Sequence, residues 1–466
     1  MNKVEKPIIS VSGIRGEVGT SLDIRVITQF AMAFGTFVGG KTVIVGRDSR
    51  TSSPMLRHAV LAGLFATGCH VIDVGLCPTP TILLMAKALR AHGSITITAS
   101  HNPVAWNGIE FAAASGNLLT QTERDELLRI YETEDFGLAP WDAQGTLETH
   151  EDASAYHLEQ ILSSAWLNLD LIQGTHLKVV IDAGNGAGCV ISPVLLRELG
   201  CEVIELNCVA DGHFRRSAEP TPEALGELCK TVLASGADIG FAHDGDADRL
   251  VLVTEQGVPL SGEWTLAFVV DFMLGKTKGD VVATVSTSRM LDDITANHGV
   301  RLHRTKVGVG WVVEKMHEVN AIIGGEGTGG VIYPNVHYTT DGITSIAAIA
   351  QYLAESGSTL TQLIENMPQY EMCRKKLEIP SQKVATLLVA SALAVYEKEQ
   401  DAGTGSVLDL TDGVKRVWED RWVNIRKSGT EPVIRIFSEA PTAEAAEQLC
   451  DETFETLRTL MKQIPH

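Results

Sequence analysis

The sequence has few basic residues for its number of acidic ones. Its 466 residues include 38 Lys and Arg against 58 Asp and Glu, a formal net charge of −20 at pH 7. A nucleic-acid duplex or an anionic membrane attracts proteins that present a basic face. We therefore expect neither nucleic acid nor a membrane as a partner of this chain.

Long apolar runs and paired cysteine motifs are also lacking. No stretch reaches the roughly 18 uninterrupted apolar residues of a membrane helix, and the segment Met1–Pro7 contains no apolar signal region. The eight cysteines form no Cys-x-x-Cys pair, and several lie in apolar, strand-like runs. This pattern indicates reduced thiols in protein cores. We expect a soluble protein of the cytoplasm.

The remaining composition predicts several packed domains. Apolar residues make up 44% of the chain and charged residues 21%, which suits globular domains better than disorder. Short apolar runs alternate with helical patterns over 41–99, 177–242 and 280–323, whereas the last hundred residues read as paired strands and a long amphipathic helix. We predict three tandem α/β mixed-sheet domains of similar topology, at 1–150, 151–260 and 261–370, and a smaller C-terminal α+β domain at 371–466.

Three carboxylates directly after an apolar strand give the sharpest chemical signal. Asp244, Asp246 and Asp248 follow the strand predicted to end at Ala242, and Arg249 comes next. Carboxylates at this spacing repel one another unless a hard cation neutralises them, and all-oxygen ligands suit Mg²⁺. A solvated acidic turn is the alternative, but an apolar run follows directly and argues against it. An EF-hand does not fit, because Arg249 stands where that loop needs glycine.

A serine follows another predicted strand. Ser100 lies in the sequence Thr98-Ala-Ser-His-Asn-Pro103, and ligands of α/β proteins bind at the carboxyl ends of strands. An ordinary capping turn is the alternative for such a sequence. His101 beside Ser100 does not by itself indicate a hydrolase, because a catalytic triad converges in space and the Gly-x-Ser-x-Gly pattern is absent.

Two glycine-containing loops suggest a phosphate site and a sugar site. In the loop from Arg426 to Arg435, the glycine lets backbone amides turn inward, hydroxyls add donors and the two arginines add forked cations, which together suit a phosphate dianion. In Gly324–Gly330, Glu326 and Thr328 can bind neighbouring hydroxyls, as a sugar diol offers. A hairpin with surface charges and a flexible hinge are the respective alternatives.

Taken together, the four loops resemble those of the α-D-phosphohexomutase superfamily, which includes phosphoglucomutase, phosphomannomutase and phosphoglucosamine mutase. Thr-Ala-Ser-His-Asn-Pro, Asp-Gly-Asp-Ala-Asp-Arg, Gly-Glu-Gly-Thr-Gly-Gly and Arg-x-Ser-Gly-Thr-Glu-Pro occur in the family's order over nearly the whole chain. The resemblance implies four domains around a central cleft, each contributing one loop.

The resemblance also implies roles for individual residues. Ser100 would carry the transferable phosphoryl group, with Arg15 and His101 as further catalytic residues. Asp244, Asp246 and Asp248 would bind Mg²⁺ together with an oxygen on Ser100. The substrate-binding residues would be Arg249, Lys306, Glu326, Thr328, Arg426, Ser428, Gly429, Thr430 and Arg435.

The implied activity is that of a phosphohexomutase. Such an enzyme interconverts hexose 1-phosphate and 6-phosphate through a phosphoserine and a hexose 1,6-bisphosphate, which would also serve as the primer. We expect a small-molecule sugar phosphate as the partner, a slight preference for glucosamine phosphate, and a monomer or homodimer. The alternatives are phosphomannomutase/phosphoglucomutase specificity, a phosphohydrolase, or a sugar-phosphate binder without turnover.

Three departures from the family pattern stand out, one of which is Val309-Gly310 after Lys306-Val-Gly308, where some relatives carry a polar residue. Many relatives have a lysine, a proposed acid/base group, where this chain has Glu110. Several relatives end the sugar loop in histidine, where this chain has Gly330. The identity of the general base is therefore open.

Overall fold

The computed structural model describes residues 7–9, 13–401, 405–428 and 433–464. These residues form four sheets that follow one another along the chain, and each sheet with its helices is called a unit below. The predicted fold class, three α/β mixed-sheet domains and a smaller α+β domain, is confirmed. The predicted boundaries at 150, 260 and 370 remain predictions.

The first unit contains a seven-stranded sheet in the order β1-β2-β6-β5-β3-β4-β7. Apolar runs such as Val43-Ile-Val form its central strands, and Pro54 stands in the first turn of α2, where its missing N–H costs nothing. Its elements are β1 (Ile8–Ile9), β2 (Gly13–Glu17), α1 (Ile24–Phe37), β3 (Val43–Arg47), α2 (Ser53–Ala66), β4 (His70–Leu76), α3 (Thr79–Ala88), β5 (Gly93–Ile97), β6 (Trp106–Ala113), α4 (Gln121–Thr133) and β7 (Thr146–Thr149).

The second unit is built on a four-stranded sheet in the order β11-β10-β8-β9, in which only the β10–β11 pair is antiparallel. Two helices, α5 (Ala153–Leu162) and α6 (Leu169–Thr175), lead into it. The other elements are β8 (Lys178–Asp182), α7 (Ser192–Glu198), β9 (Glu202–Leu206), α8 (Gly226–Ser235), β10 (Ile239–His243) and β11 (Leu250–Thr254).

The third unit has a five-stranded sheet in the order β13-β12-β14-β15-β16. Its elements are α9 (Gly262–Lys276), β12 (Val281–Thr284), α10 (Met290–His298), β13 (Leu302–Thr305), α11 (Val309–Val319), β14 (Ile323–Glu326), β15 (Gly330–Tyr333), β16 (His337–Thr340), α12 (Gly342–Ser356) and α13 (Leu360–Glu365). The second and third units share one apolar core, which runs from Ile181 and Leu252 to Phe268 and Ile349.

The fourth unit has a wholly antiparallel sheet in the order β17-β21-β20-β19-β18 and a core of its own. Its elements are β17 (Glu371–Glu378), α14 (Gln382–Asp401), β18 (Val407–Asp409), β19 (Val414–Val417), β20 (Trp422–Lys427), β21 (Val433–Ala440) and α15 (Ala443–Met461). Among all the described helices, none combines the length and apolarity that a bilayer span requires.

Candidate active site

Ser100 and Asp244 meet where the first and second units face each other. The hydroxyl of Ser100, three residues after β5, donates a 3.0 Å hydrogen bond to Oδ2 of Asp244, which directly follows β10. Both side chains are buried: Ser100 is 3% exposed and Asp244 1%. The structure therefore brings together the predicted nucleophile and one predicted metal ligand, which are 144 residues apart.

The backbone at Ser100 adopts an uncommon conformation. Its φ of 47° lies in the left-handed region, which non-glycine residues seldom adopt. Its amide donates to Oγ1 of Thr98 over 2.8 Å, and its carbonyl accepts from Arg50 over 2.7 Å. These contacts hold the turn in the geometry that directs the hydroxyl towards Asp244.

The three aspartates form a site that fits a divalent cation. One carboxylate oxygen from each lies within 4.8 Å of the others, and Oδ1 of Asp246 and Oδ1 of Asp248 are buried without a hydrogen-bond partner among the described groups. Burial and then the charges of Asp248 and Asp246 raise the pKa of Asp244, and burial followed by the charge of Asp246 raises the pKa of Asp248 to about 7. Clustered, buried carboxylates repel one another unless a cation neutralises them, and Mg²⁺ prefers oxygen ligands of this kind.

Arg249 and His101 flank the serine. Nε of Arg249 lies 3.7 Å from Oδ1 of Asp248 and 3.9 Å from Oδ2 of Asp244. Nδ1 of His101 is 3.3 Å from the Ser100 hydroxyl. The charge of Arg249 and then burial lower the pKa of His101 to about 2. This shift favours the neutral imidazole, which can exchange a hydrogen bond with Ser100.

Arg15 forms an ion pair with Glu110. Nη2 of Arg15 contacts Oε1 of Glu110, and Nη1 donates to Oδ1 of Asn102 over 3.2 Å. Burial alone would lower the pKa of Arg15, but the charge and hydrogen bond of Glu110 raise it. Glu110 therefore acts as the counter-ion of an arginine on the serine side of the site.

The predicted sugar loop is the tight hairpin between β14 and β15. Glu326 is half-buried and its Oε1 accepts from the amide of Gly308 over 2.9 Å, whereas Thr328 is exposed. The carbonyl of Gly329 accepts from the amide of Leu250, at 3.1 Å, so the hairpin packs against the end of the aspartate loop. Lys306 is exposed, with Nζ 5.1 Å from the Trp311 ring centroid.

The predicted phosphate loop joins β20 to β21. Arg426 and Arg435 stand opposite each other in this antiparallel pair, and the buried Ser428 donates from its amide to Val433 over 3.0 Å. Burial and the charge of Arg435 lower the pKa of Arg426, although Asp412 opposes this shift. Two guanidinium groups on paired strands favour an anion between them. The predicted residues Gly429 and Thr430 lie outside the described residues.

The sequence reasoning missed a buried arginine beneath the serine loop. Arg50 is fully buried, its Nε donates to Asp48 over 3.0 Å, and its other nitrogens donate to the carbonyls of Ser100, Asn102, Pro103 and Trp106 at 2.7–2.9 Å. The signal was present, because charged residues directly follow the buried strand β3 in the sequence Gly46-Arg-Asp-Ser-Arg.

A second arginine, which is partly buried, supports the aspartate loop in the same manner. Arg216 donates from Nε to Asp182, at the end of β8, over 2.8 Å, and from Nη2 to the carbonyl of His243 over 2.6 Å. The serine loop and the aspartate loop, which face each other, are thus each supported by an arginine–aspartate pair. This similarity reflects the common position of the two aspartates at the carboxyl ends of parallel strands.

The chain matches family models along most of its length. Residues 7–138, 155–257 and 261–370 match the models described as phosphoglucomutase/phosphomannomutase, alpha/beta/alpha domains I, II and III. Residues 381–456 match the C-terminal domain of the same family. Each candidate loop lies within a matched segment.

Individual relatives agree with these models. The chain is 38% identical over 457 residues to a protein of Thermococcus kodakarensis named "Phosphoglucomutase/phosphomannomutase", covering 97% of this chain and 98% of that one. It is 38% identical over 455 residues to a protein of Methanopyrus kandleri named "Probable phosphoglucosamine mutase", with the same coverage.

Solved structures also share the fold. A phosphoglucomutase/phosphomannomutase family protein from Burkholderia thailandensis superimposes with a TM-score of 0.84 at 28% identity, covering 98% of this chain and 97% of that one. The N-acetylphosphoglucosamine mutase of Aspergillus fumigatus, solved in complex with GlcNAc-6P and magnesium, superimposes with a TM-score of 0.61 at 13% identity, covering 98% of this chain and 97% of that one. At that identity the second match shows the fold alone.

Proposed function

Because this chain belongs to the phosphoglucomutase/phosphomannomutase family of phosphohexomutases, we propose that Ser100 is the residue that carries and transfers the phosphoryl group. The observation that carries this proposal is the 3.0 Å contact between Oγ of Ser100 and Oδ2 of Asp244 in a buried, strained turn. A phosphoryl group on Ser100 would lie beside the three carboxylates and Arg249.

The aspartate loop is the proposed metal site. Asp244, Asp246 and Asp248, together with an oxygen on Ser100, would hold Mg²⁺, in keeping with the two buried carboxylate oxygens that lack hydrogen-bond partners. Bound magnesium would neutralise charge on the oxygens of the transferring phosphoryl group. Arg249 and Arg15 would supply the protein's own cations at the same group.

The proposed reaction breaks one phosphorus–oxygen bond and forms another at each step. A hydroxyl oxygen of the hexose phosphate bonds to the phosphorus on Ser100 and the bond from phosphorus to Oγ breaks. The proton that the sugar hydroxyl loses is balanced by the proton that Oγ of Ser100 gains. The resulting 1,6-bisphosphate reorients within the site. Its other phosphoryl group is then transferred to Ser100, and the isomerised monophosphate departs. A hexose 1,6-bisphosphate would also serve as the primer, because it would phosphorylate Ser100 of the unphosphorylated enzyme.

The distal phosphate and the sugar would be held by the other two loops. Arg426, Ser428 and Arg435, with Gly429 and Thr430 of the same loop, are proposed to bind the phosphate that does not react. Glu326 and Thr328 would bind sugar hydroxyls. Lys306, which is exposed beside Trp311, would also contact the substrate. Holding one phosphate in a fixed pocket lets one nucleophile serve both ends of the sugar.

Glu110 is proposed as the counter-ion of Arg15 rather than as the general base. Its carboxylate faces a guanidinium that it contacts directly, and only 7% of the residue is exposed. A carboxylate in this position balances the charge of the partly buried guanidinium.

Glucosamine phosphate is the proposed preferred substrate. The names of relatives at about the same identity include both phosphoglucosamine mutase and phosphoglucomutase/phosphomannomutase. Comparing kcat/KM for glucosamine, glucose and mannose 1-phosphates tests this choice. A value for glucose or mannose phosphate above that for glucosamine phosphate would refute it.

We further propose a cytoplasmic location and a monomeric or homodimeric state. All eight cysteines are free thiols, which supports a reducing compartment.

A discontinuous assay tests the proposed activity. The protein is incubated with Mg²⁺, a catalytic amount of hexose 1,6-bisphosphate and each hexose 1-phosphate, and both hexose 6-phosphate and inorganic phosphate are measured. We expect 6-phosphate from wild type and none from Ser100→Ala. Inorganic phosphate alone would indicate a phosphohydrolase, and binding without either product would indicate a sugar-phosphate binder. Wild-type rates from the alanine variant would refute the role of Ser100.

A further inference from the structure

Each of the three aspartates accepts a hydrogen bond from a hydroxyl that another unit supplies. Ser100 donates to Asp244, as described above. The hydroxyl of Thr79, the first residue of α3 in the first unit, donates to Oδ2 of Asp246 over 2.6 Å. The hydroxyl of Thr340, the last residue of β16 in the third unit, donates to Oδ2 of Asp248 over 2.8 Å.

The two threonine contacts fix which carboxylate oxygen remains available. Because Oδ2 of Asp246 and Oδ2 of Asp248 each accept from a threonine, the other oxygen of each residue is directed elsewhere. Those are the two Oδ1 atoms that are buried and lack a hydrogen-bond partner among the described groups. A hydroxyl donor on the non-ligating oxygen orients a carboxylate towards a metal.

The backbone around both threonines is held firmly against the aspartate loop. The amide of Thr79 also donates to the carbonyl of Asp246, over 3.1 Å, and Thr79 and Thr340 are 4% and 3% exposed. Gly342 follows Thr340 by two residues, and a side-chain carbon there would lie 2.5 Å from the carbonyl of Arg249. This close approach leaves no room for any residue but glycine.

A buried polar network joins the segments that carry the two threonines. Oγ1 of Thr81, on α3, lies 2.9 Å from Nδ1 of His157, and Nε2 of His157 lies 2.9 Å from Oδ2 of Asp341. Asp341 follows Thr340 directly and caps α12. Nε2 of His337 lies 3.0 Å from the same Asp341 oxygen. The first and third units are thereby linked by hydrogen bonds through His157 of the second unit.

We propose that Thr79 and Thr340 are positioning residues of the metal site, acting through Asp246 and Asp248. The inference rests on the proposed magnesium role of the aspartate loop. The two hydroxyls come from different units, so docking of the first and third units onto the second should favour cation binding. Because such a coupling is reciprocal, cation binding should in turn stabilise the docked units.

Valine variants remove each hydroxyl while keeping the side-chain shape. Mn²⁺ serves as the probe, and free Mn²⁺ is measured by electron paramagnetic resonance in titrations without sugar phosphate. We expect Thr79→Val and Thr340→Val each to weaken Mn²⁺ binding about 10- to 100-fold, and Thr79→Ser and Thr340→Ser to stay close to wild type. In the mutase assay the valine variants should need more Mg²⁺ for half-maximal rate and regain most of kcat at saturation.

Thr295→Val is the matched control. Thr295 is buried and its hydroxyl donates to the carbonyl of Leu291 within α10, so it is satisfied inside its own helix. Melting in EDTA checks that each variant folds, and the alanine variant replaces any valine variant that does not. If Thr79→Val and Thr340→Val bind Mn²⁺ with the affinity of Thr295→Val, the proposal is overturned. So would serine variants as weak as the valine variants, because the hydroxyl would then not be responsible.

The Mn²⁺ titration also separates this inference from the proposed function. A wild-type protein that binds Mn²⁺ and responds to these variants, yet does not isomerise hexose phosphates, would refute the function and leave the positioning role intact. Active wild-type enzyme whose valine variants bind Mn²⁺ normally would refute the positioning role alone.

Discussion

Replacing Arg50 by Lys should damage both stability and catalysis, although it conserves the charge. The guanidinium makes five side-chain hydrogen bonds, one to Asp48 and four to backbone carbonyls of the serine loop. A lysine ammonium has only three donors on one atom, so at least two acceptors lose their partner. Each buried acceptor left unsatisfied costs about 1–3 kcal/mol, which gives a loss of about 2–6 kcal/mol.

Scanning calorimetry and steady-state kinetics measure the two effects. At about 3 °C per kcal/mol for a unit of this size, the melting temperature of the first unit should fall by roughly 6–18 °C. A displacement of the Ser100 loop by about 1 Å would also lower kcat on the order of 100-fold. The serine loop is the link between the two effects, because Arg50 donates directly to the Ser100 carbonyl.

Arg25→Lys is the control for the Arg50 substitution. Arg25 is exposed and pairs with Asp23 at the surface. We expect its replacement to change neither the melting temperature nor kcat. An Arg50→Lys protein that melts within about 2 °C of wild type and keeps its kcat would refute the supporting role of Arg50.

Three further predictions concern other buried charges. Glu110→Gln removes the counter-ion of Arg15 and should lower kcat/KM about tenfold, which corresponds to about 1.4 kcal/mol. The pH–rate profile should not change. Loss of its acidic limb would instead identify Glu110 as a base. Burial, followed by the charge of Arg304, lowers the pKa of Lys415 from the ordinary 10.5 to about 7. The unfolded chain therefore holds more protons than the folded one between these values, and urea unfolding should show stability rising above pH 7 by up to about 1.4 kcal/mol per pH unit. Lys415→Met should lack that slope, and a slope that persists would contradict the assignment. Asp341→Asn removes the carboxylate shared by two histidines and should lower the free energy of unfolding by about 1–3 kcal/mol, whereas unchanged denaturation would show the network to be dispensable.

Contiguous motifs made much of the fold and site predictable from sequence. Strands such as β3, β8 and β10 are uninterrupted apolar runs because both faces of the sheet are covered by helices. The chemistry-bearing residues follow such strands directly, so finding the strand ends located Ser100 and the aspartates. In contrast, β6 was missed, because Trp106-Asn-Gly-Ile-Glu mixes polar and apolar residues, although the strand lies between β2 and β5 in the sheet.

The contacts between distant segments could not be predicted in the same way. Arg15 and Glu110 are 95 residues apart, and only the antiparallel register of β2 on β6 brings them together. Thr79 is 167 residues from Asp246, and nothing in its Pro-Thr-Pro surroundings indicates a carboxylate partner. The first pairing depends on strand register within one sheet and the second on how two units dock, and local composition encodes neither.

The central claim is that Ser100 accepts and returns the phosphoryl group, and phosphopeptide mapping tests it most directly. Dephosphorylated enzyme is treated with Mg²⁺ and hexose 1,6-bisphosphate, digested and analysed by mass spectrometry, and then chased with hexose monophosphate. The account predicts one phosphate on Ser100 that disappears in the chase as bisphosphate forms. Isomerisation by an enzyme whose phosphate appears at another residue, or at none, would contradict it.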